Sequence, residues 1–257
     1  MYRKLLSPIC LLFSLAIPAA IIIENQSLLI DTDNVSPYSS FSLVDETNAI
    51  QNSMLLVSLT GEGDTTSGVT IDWSGGMGVA ANVMVEEEAG SPYTGIYLFD
   101  LGDVSSETIT IHLPIVGQVD RERVSILQLS GGDIDSVISN TGRVTNKSTT
   151  GKTTLADVED GSFVFSVGST RKNGRNLVAT AGNSDAAAWQ GNGDGRGHGY
   201  MWDLDSAAGT RDAGFTLSGD TDGMSISAVS IAAIPEPGTL ALLGVAGLAL
   251  GLMRRRR

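Results

Sequence analysis

Apolar and polar residues alternate at near period two along most of the chain. This is the spacing of strands, whose successive side chains point to opposite faces. Residues 54–60, 69–73, 81–86, 95–100 and 107–113 mix apolar, β-branched and aromatic side chains in this way, and 123–129, 161–167, 214–218 and 225–231 continue it. Gly, Asp, Asn and Ser clusters separate the runs, as turns require. Within 107–113, Ile109, Ile111 and Leu113 share one face and Thr108, Thr110 and His112 the other, which predicts a half-buried strand. About ten such segments predict an all-β domain of two packed antiparallel sheets. A β-sandwich of jelly-roll or lectin-like type fits, as does an immunoglobulin-like array.

The two ends break the alternation with uncharged apolar runs. Arg3-Lys4 precede a run from Leu5 to Ile23, the form of a secretory signal helix with a basic start. Pro18-Ala19-Ala20 matches small-x-small only loosely and Ile21-Ile22-Ile23 prolongs the run, so the sequence places the leader at residues 1–23. An uncleaved N-terminal anchor is the alternative. Cys10 follows Ile9 rather than a small residue, which argues against lipidation.

At the other end, Pro235-Glu236-Pro237-Gly238 is followed by a second apolar run, residues 239–253, and by Arg254, Arg255, Arg256 and Arg257. Two prolines fix φ and remove backbone donors, so the tag neither extends a helix nor joins a sheet. Fifteen helical residues reach about 22 Å, short of a hydrocarbon core of about 30 Å. Four arginines hold the tail on the cytoplasmic side. The reading is a short transmembrane helix with a membrane stop. The chain thus divides into a signal peptide (1–23), an exported β domain (24–233) and a terminal sorting segment (234–257).

Pro235-Glu236-Pro237, the adjoining Leu/Ala/Gly-rich helix and the arginine cluster resemble the PEP-CTERM sorting signal of exported proteins in Gram-negative bacteria. The resemblance covers only the C-terminal tail. It implies recognition by exosortase, a membrane protease that cuts near Pro-Glu-Pro. It also implies transient anchoring in the inner membrane, delivery to the cell surface or beyond, and association with biofilm and extracellular polysaccharide.

Charge sharpens the picture of the exported part. Removing Arg3, Lys4, Glu236 and the four terminal arginines from 16 basic and 29 acidic residues leaves 10 against 28, a formal charge of −18. Nucleic acid is excluded as a partner, since phosphate binding needs a clustered basic face. The one dense basic cluster, residues 171–175, reads as a hairpin tip around Asn173-Gly174. Cys10 is the only cysteine, so the exported segment forms no internal disulfide and relies on its core.

Catalytic chemistry finds little footing. Residues 146–153 approach a P-loop, but Asn146 replaces its first Gly and no helical pattern follows. His112 and His198 lie apart, without a nucleophile motif or zinc-ligand spacing. Glu86 and Glu88 share a strand face and suit paired-acid glycosidase geometry, although a solvated strand end explains them as well. Asp203-x-Asp205 and Asp220-x-Asp222-Gly223 share spacing with parts of calcium loops, making Ca²⁺ the one cation worth testing. Trp73, Trp189, Tyr200 and Trp202 fall in or beside loop regions, including the non-periodic stretch 183–199. Trp189, Tyr200 and Trp202 are the candidate ligand-binding residues, because flat aromatic faces beside carboxylates suit sugars; core packing is the competing role. The expectation is a non-catalytic, cofactor-free surface or matrix protein, structural or adhesive. A lectin-like module or glycan-active enzyme is the alternative.

Overall fold

The computed structural model describes residues 20–32, 38–42, 50–61, 68–87, 92–104, 108–112, 122–170, 176–179, 198–218 and 222–234. Ala20–Ala233 makes one compact unit; Met1–Ala19 and Ile234–Arg257 make another, of which only Ile234 is described. Residues 1–19 of the expected signal helix and the whole expected C-terminal membrane helix lie outside the described residues, while Ile22 and Ile23, at the end of the expected leader, begin a strand instead. Among the described residues no helix is long and apolar enough to cross a membrane.

The compact unit is all β. Its first strands are β1 (Ile22–Thr32), β2 (Tyr38–Ser42), β3 (Ile50–Gly61), β4 (Thr70–Trp73), β5 (Gly76–Ala80), β6 (Val83–Glu87), β7 (Tyr93–Val104) and β8 (Thr108–His112). There follow β9 (Glu122–Ser130), β10 (Gly132–Ser148), β11 (Thr150–Val158), β12 (Ser162–Thr170), β13 (Asn176–Ala179), β14 (His198–Ser206), β15 (Gly209–Ser218) and β16 (Asp222–Ala233). Among the described residues they form four antiparallel sheets: sheet I in the order β2-β8-β4-β5, sheet II β1-β9-β3-β7-β6, sheet III β10-β16-β12-β14 and sheet IV β11-β15-β13.

Among the described residues four hydrophobic clusters join the sheets in series, two of them between sheets III and IV. Leu55, Val57, Leu59, Tyr97, Phe99 and Ile126 of sheet II pack against Ile71, Ile109 and Ile111 of sheet I. The opposite face of sheet II, with Met54, Leu56, Ile96, Leu98, Leu127 and Leu129, packs on Phe163, Phe165, Val167, Val229 and Ile231 of sheet III. The far face of sheet III carries Val164, Met224, Ile226 and Ala228 against Leu155, Ala213, Phe215 and Leu217 of sheet IV.

Two sheets were expected and four are found. The cause is visible in the inner strands: Met54-Leu55-Leu56-Val57 is apolar at successive positions, so both faces must be covered. All nine residues of β12 are buried. Outer strands keep the alternation. In β8, Ile109 and Ile111 are buried while Thr108 is exposed, as expected for a half-buried strand.

Sheets III and IV approach closely where side chains are missing. A Cβ at Gly168 would lie 2.6 Å from the Phe215 ring, and one at Gly199 3.1 Å from it. Both glycines make room for one phenyl ring. At the other end of the central core, hydroxyls replace hydrocarbon: Ser58 Oγ meets Ser125 Oγ at 2.5 Å, and Thr94 Oγ1 meets Ser227 Oγ at 2.9 Å. Such pairing is what buried polar groups require. The polar stretch 141–154 belongs to β10 and β11 and the turn between them. Its P-loop-like residues span their reversal, with a strand following rather than a helix.

Candidate sorting site

The last strand sets where the terminal segment begins. In β16, Ser227, Val229, Ile231 and Ala233 face sheet II, while Met224, Ile226 and Ala228 face sheet IV; all are buried. Ala233 makes the final register pair, with Gly132 of β10, and Ile234 is half-buried outside the strand. Pro235 then follows, a residue that cannot donate to a ladder. The last strand pair at this end among the described residues is thus at residue 233, three positions before Glu236. Pro235, Glu236, Pro237, Gly238 and Arg254, Arg255, Arg256 and Arg257 lie outside the described residues.

The first strand docks at the same corner. Ile22 pairs with Ser130 of β9, two residues before Gly132, and Ile21 and Ile23 join the core between sheets II and III. A Cβ at Gly132 would come 2.9 Å from both Ile231 Cγ2 and Met54 Cε, so a larger residue would prise this corner open. Gly131, at φ +76°, turns the chain between β9 and β10 and lies against the Ala20 carbonyl. Sequence reasoning missed Ser130–Gly131–Gly132 as the meeting point of both ends. Adjacent glycines marked a turn but not its neighbours.

Tyr200 and Trp202 are brought together, although not in a loop. They lie on one face of β14, an edge strand of sheet III, with ring centroids 5.4 Å apart and planes 8° from parallel. Phe165 stacks on Tyr200 at 6.2 Å, so the half-buried pair extends the central core outward. Burial raises the Tyr200 phenol above its ordinary value. Trp189 lies outside the described residues. Trp73 ends β4 and packs against the core between sheets I and II.

Glu86, Asp203 and His112 are each tied into the fold by side-chain bonds. Glu86 Oε1 accepts from Tyr93 Oη at 2.9 Å and from Tyr97 Oη, which also meets Tyr93 Oη. Gly95 lies between the two tyrosines, and a Cβ there would be 2.5 Å from Tyr93 Oη. Burial first, then Tyr93 and Glu86, push the Tyr97 phenol well above its ordinary value. Glu88 lies outside the described residues. Asp203 accepts from Ser206 Oγ at 3.1 Å; the Asp205 side chain and Asp220 are outside the description. Among the described residues no three His, Cys, Asp or Glu gather as a metal site.

His112 has a partner that its local sequence does not reveal. Its Nε2 lies 2.8 Å from Asp72 Oδ2, and Asp72 Oδ1 accepts the Gly78 amide at 2.5 Å. The amide first, then His112, lowers the Asp72 carboxyl below its ordinary value. Bonds from Lys152 and Thr154 lower Asp212 similarly. A depressed carboxyl stabilises the fold above its unfolded pKa of about 3.9, and that contribution is lost as pH falls through the lower folded value. Asp72→Asn is expected to flatten the fall in melting temperature below about pH 4. An unchanged acid limb would contradict this.

Comparison with known proteins converges on the end of the chain. No curated protein and no solved structure matches it. One family does, the PEP-CTERM protein-sorting motif, over residues 233–257. Its first matched residue, Ala233, is the last residue of β16. The C-terminal tail of this chain is a PEP-CTERM protein-sorting motif, the signature of an exported protein held by a C-terminal membrane anchor until an exosortase-type protease processes it.

Proposed function

We propose that the β domain is a non-catalytic structural or adhesive component of an extracellular polysaccharide layer, delivered there by its tail. The observation that carries this reading is the position of the motif, which starts where the last core strand ends. The domain can fold to its final residue and still present the tag to a membrane enzyme. A formal charge of −18 keeps the released domain soluble and opposes contact with anionic glycans unless divalent cations bridge them. Glu86 and His112, two of the groups weighed for catalysis, are committed to bonds that join neighbouring strands. The domain requires no cofactor for such a role.

The native host with and without its exosortase provides the test. With the enzyme, the β domain is expected in the surface and matrix fractions; without it, the full chain accumulates in the membrane fraction. The same distribution in both strains would count against tail-directed delivery, and turnover of a matrix polysaccharide would count against a non-catalytic role.

A second reading, a lectin-like module, is favoured by one feature: the stacked, half-buried Tyr200–Trp202 pair on an edge strand. Parallel aromatic faces suit the apolar face of a sugar ring. A glycan array read with and without Ca²⁺ decides between the two. Binding lost in Trp202→Ala supports the lectin, and no binding by the native protein removes it.

A further inference from the structure

The sequence alone places the end of the leader at residue 23, but the fold needs residues 21–23. Ile21 is only 4 % exposed and packs with Met54, Leu129 and Ile231 in the central core. Ile23 packs against the same cluster, and Ile22 opens β1 opposite Ser130. A cut after residue 23 would remove two core side chains and the first two pairs of the β1–β9 ladder. Ala20, in contrast, is exposed. Among the described residues, the first core side chain directly follows the Ala20–Ile21 bond.

We propose that a membrane signal peptidase hydrolyses the Ala20–Ile21 peptide bond, so that the mature chain begins at Ile21. The proposal rests on the reading of the chain as exported. Water adds across the bond: the Ala20 carbonyl carbon takes the hydroxyl and leaves as the leader's carboxylate, and the Ile21 nitrogen becomes the new α-ammonium. Small residues must flank such a site on its leader side, and Ala20 with Pro18 two positions earlier meets this better than any bond within Ile21-Ile22-Ile23. The cut precedes folding, because folding then buries the Ile21 side chain. Burial also explains why isoleucines directly follow the site: they are the first core residues of the domain and not the end of the leader.

N-terminal sequencing of the full-length gene product, recovered after export from its host, tests the assignment. The expected first residue is Ile21, and any other first residue overturns it. An exported chain beginning at Glu24 overturns the cut and leaves the export reading intact. A cytosolic chain still carrying Met1 overturns both. Ala20→Trp is expected to leave at least about nine-tenths of the chain uncut at this bond, while Ala20→Ser retains the native cut. Since Ala20 is exposed, neither change removes a core contact. Native cutting in Ala20→Trp would also overturn the proposal.

Discussion

Deleting residues 239–257 from the full chain is expected to abolish C-terminal processing and leave the melting temperature of the β domain within about 1 °C of the native protein. The two halves of this result have separate causes. Among the described residues the last ladder pair at this end is at Ala233, six positions before the deletion begins, so every strand pair and core side chain described in Ala20–Ala233 is kept in the shortened chain. Processing is expected to depend on the apolar run and the four arginines, as the membrane anchor that brings Pro235-Glu236-Pro237 to the protease. Calorimetry and fractionation on the same preparation check both halves. A drop of more than about 5 °C would make residues 239–257 part of the fold, and unchanged processing would remove the membrane step.

Phe215→Ala is expected to destabilise the domain by about 3–5 kcal/mol, the range for truncating a buried aromatic residue. Phe215 is fully buried on β15, and its ring occupies the space left by Gly168 of β12 and Gly199 of β14. Glycine at both facing positions leaves no side chain there to fill the vacancy, so the cost falls toward the upper end of the range. In a unit of this length, that lowers the melting temperature by roughly 10 °C. Gly168→Val attacks the same contact from the other side, since its Cβ alone would meet the ring at 2.6 Å. Urea denaturation measures both variants. A change under about 1 kcal/mol for Phe215→Ala would mean that sheets III and IV are not held together by this ring.

What the sequence revealed depended on how much each strand's neighbours decided. Strands β3, β7, β8, β9, β12, β15 and β16 were legible because their own side chains fill a core. Strand β11 was hidden. Its inward positions include Gly151 and Thr153, which are small because Met224, Ile226 and the strands opposite approach closely. Strand β10, with Ser139, Asn140, Thr141 and Gly142 in its middle, owes its place to pairing with β16. Strand β1 was concealed for the opposite reason, since Ile21-Ile22-Ile23 continues the leader's apolar run without a break. Layer number could have been read from Met54-Leu55-Leu56-Val57, where successive apolar residues require cover on both faces.

The sorting motif was fully legible because its chemistry is local: two prolines around a carboxylate, a short apolar run and a basic end lie in consecutive residues. Contacts made across the fold were not. Asp72 and His112 are 40 residues apart, and the glycine corner joins Ile22 to Ala233 only through strand pairing. The aromatic pair lay between these cases. Tyr200 and Trp202 stand two apart, as strand periodicity needs, but the glycine-rich stretch before them read as a loop.

The intact mass of the protein isolated from the cell surface or medium of its native host tests the central claim most directly. A chain that ends at or just after the Pro235-Glu236-Pro237 tag, lacking the apolar run and all four arginines, is the predicted result. A mature chain that still ends at Arg257 would contradict the account.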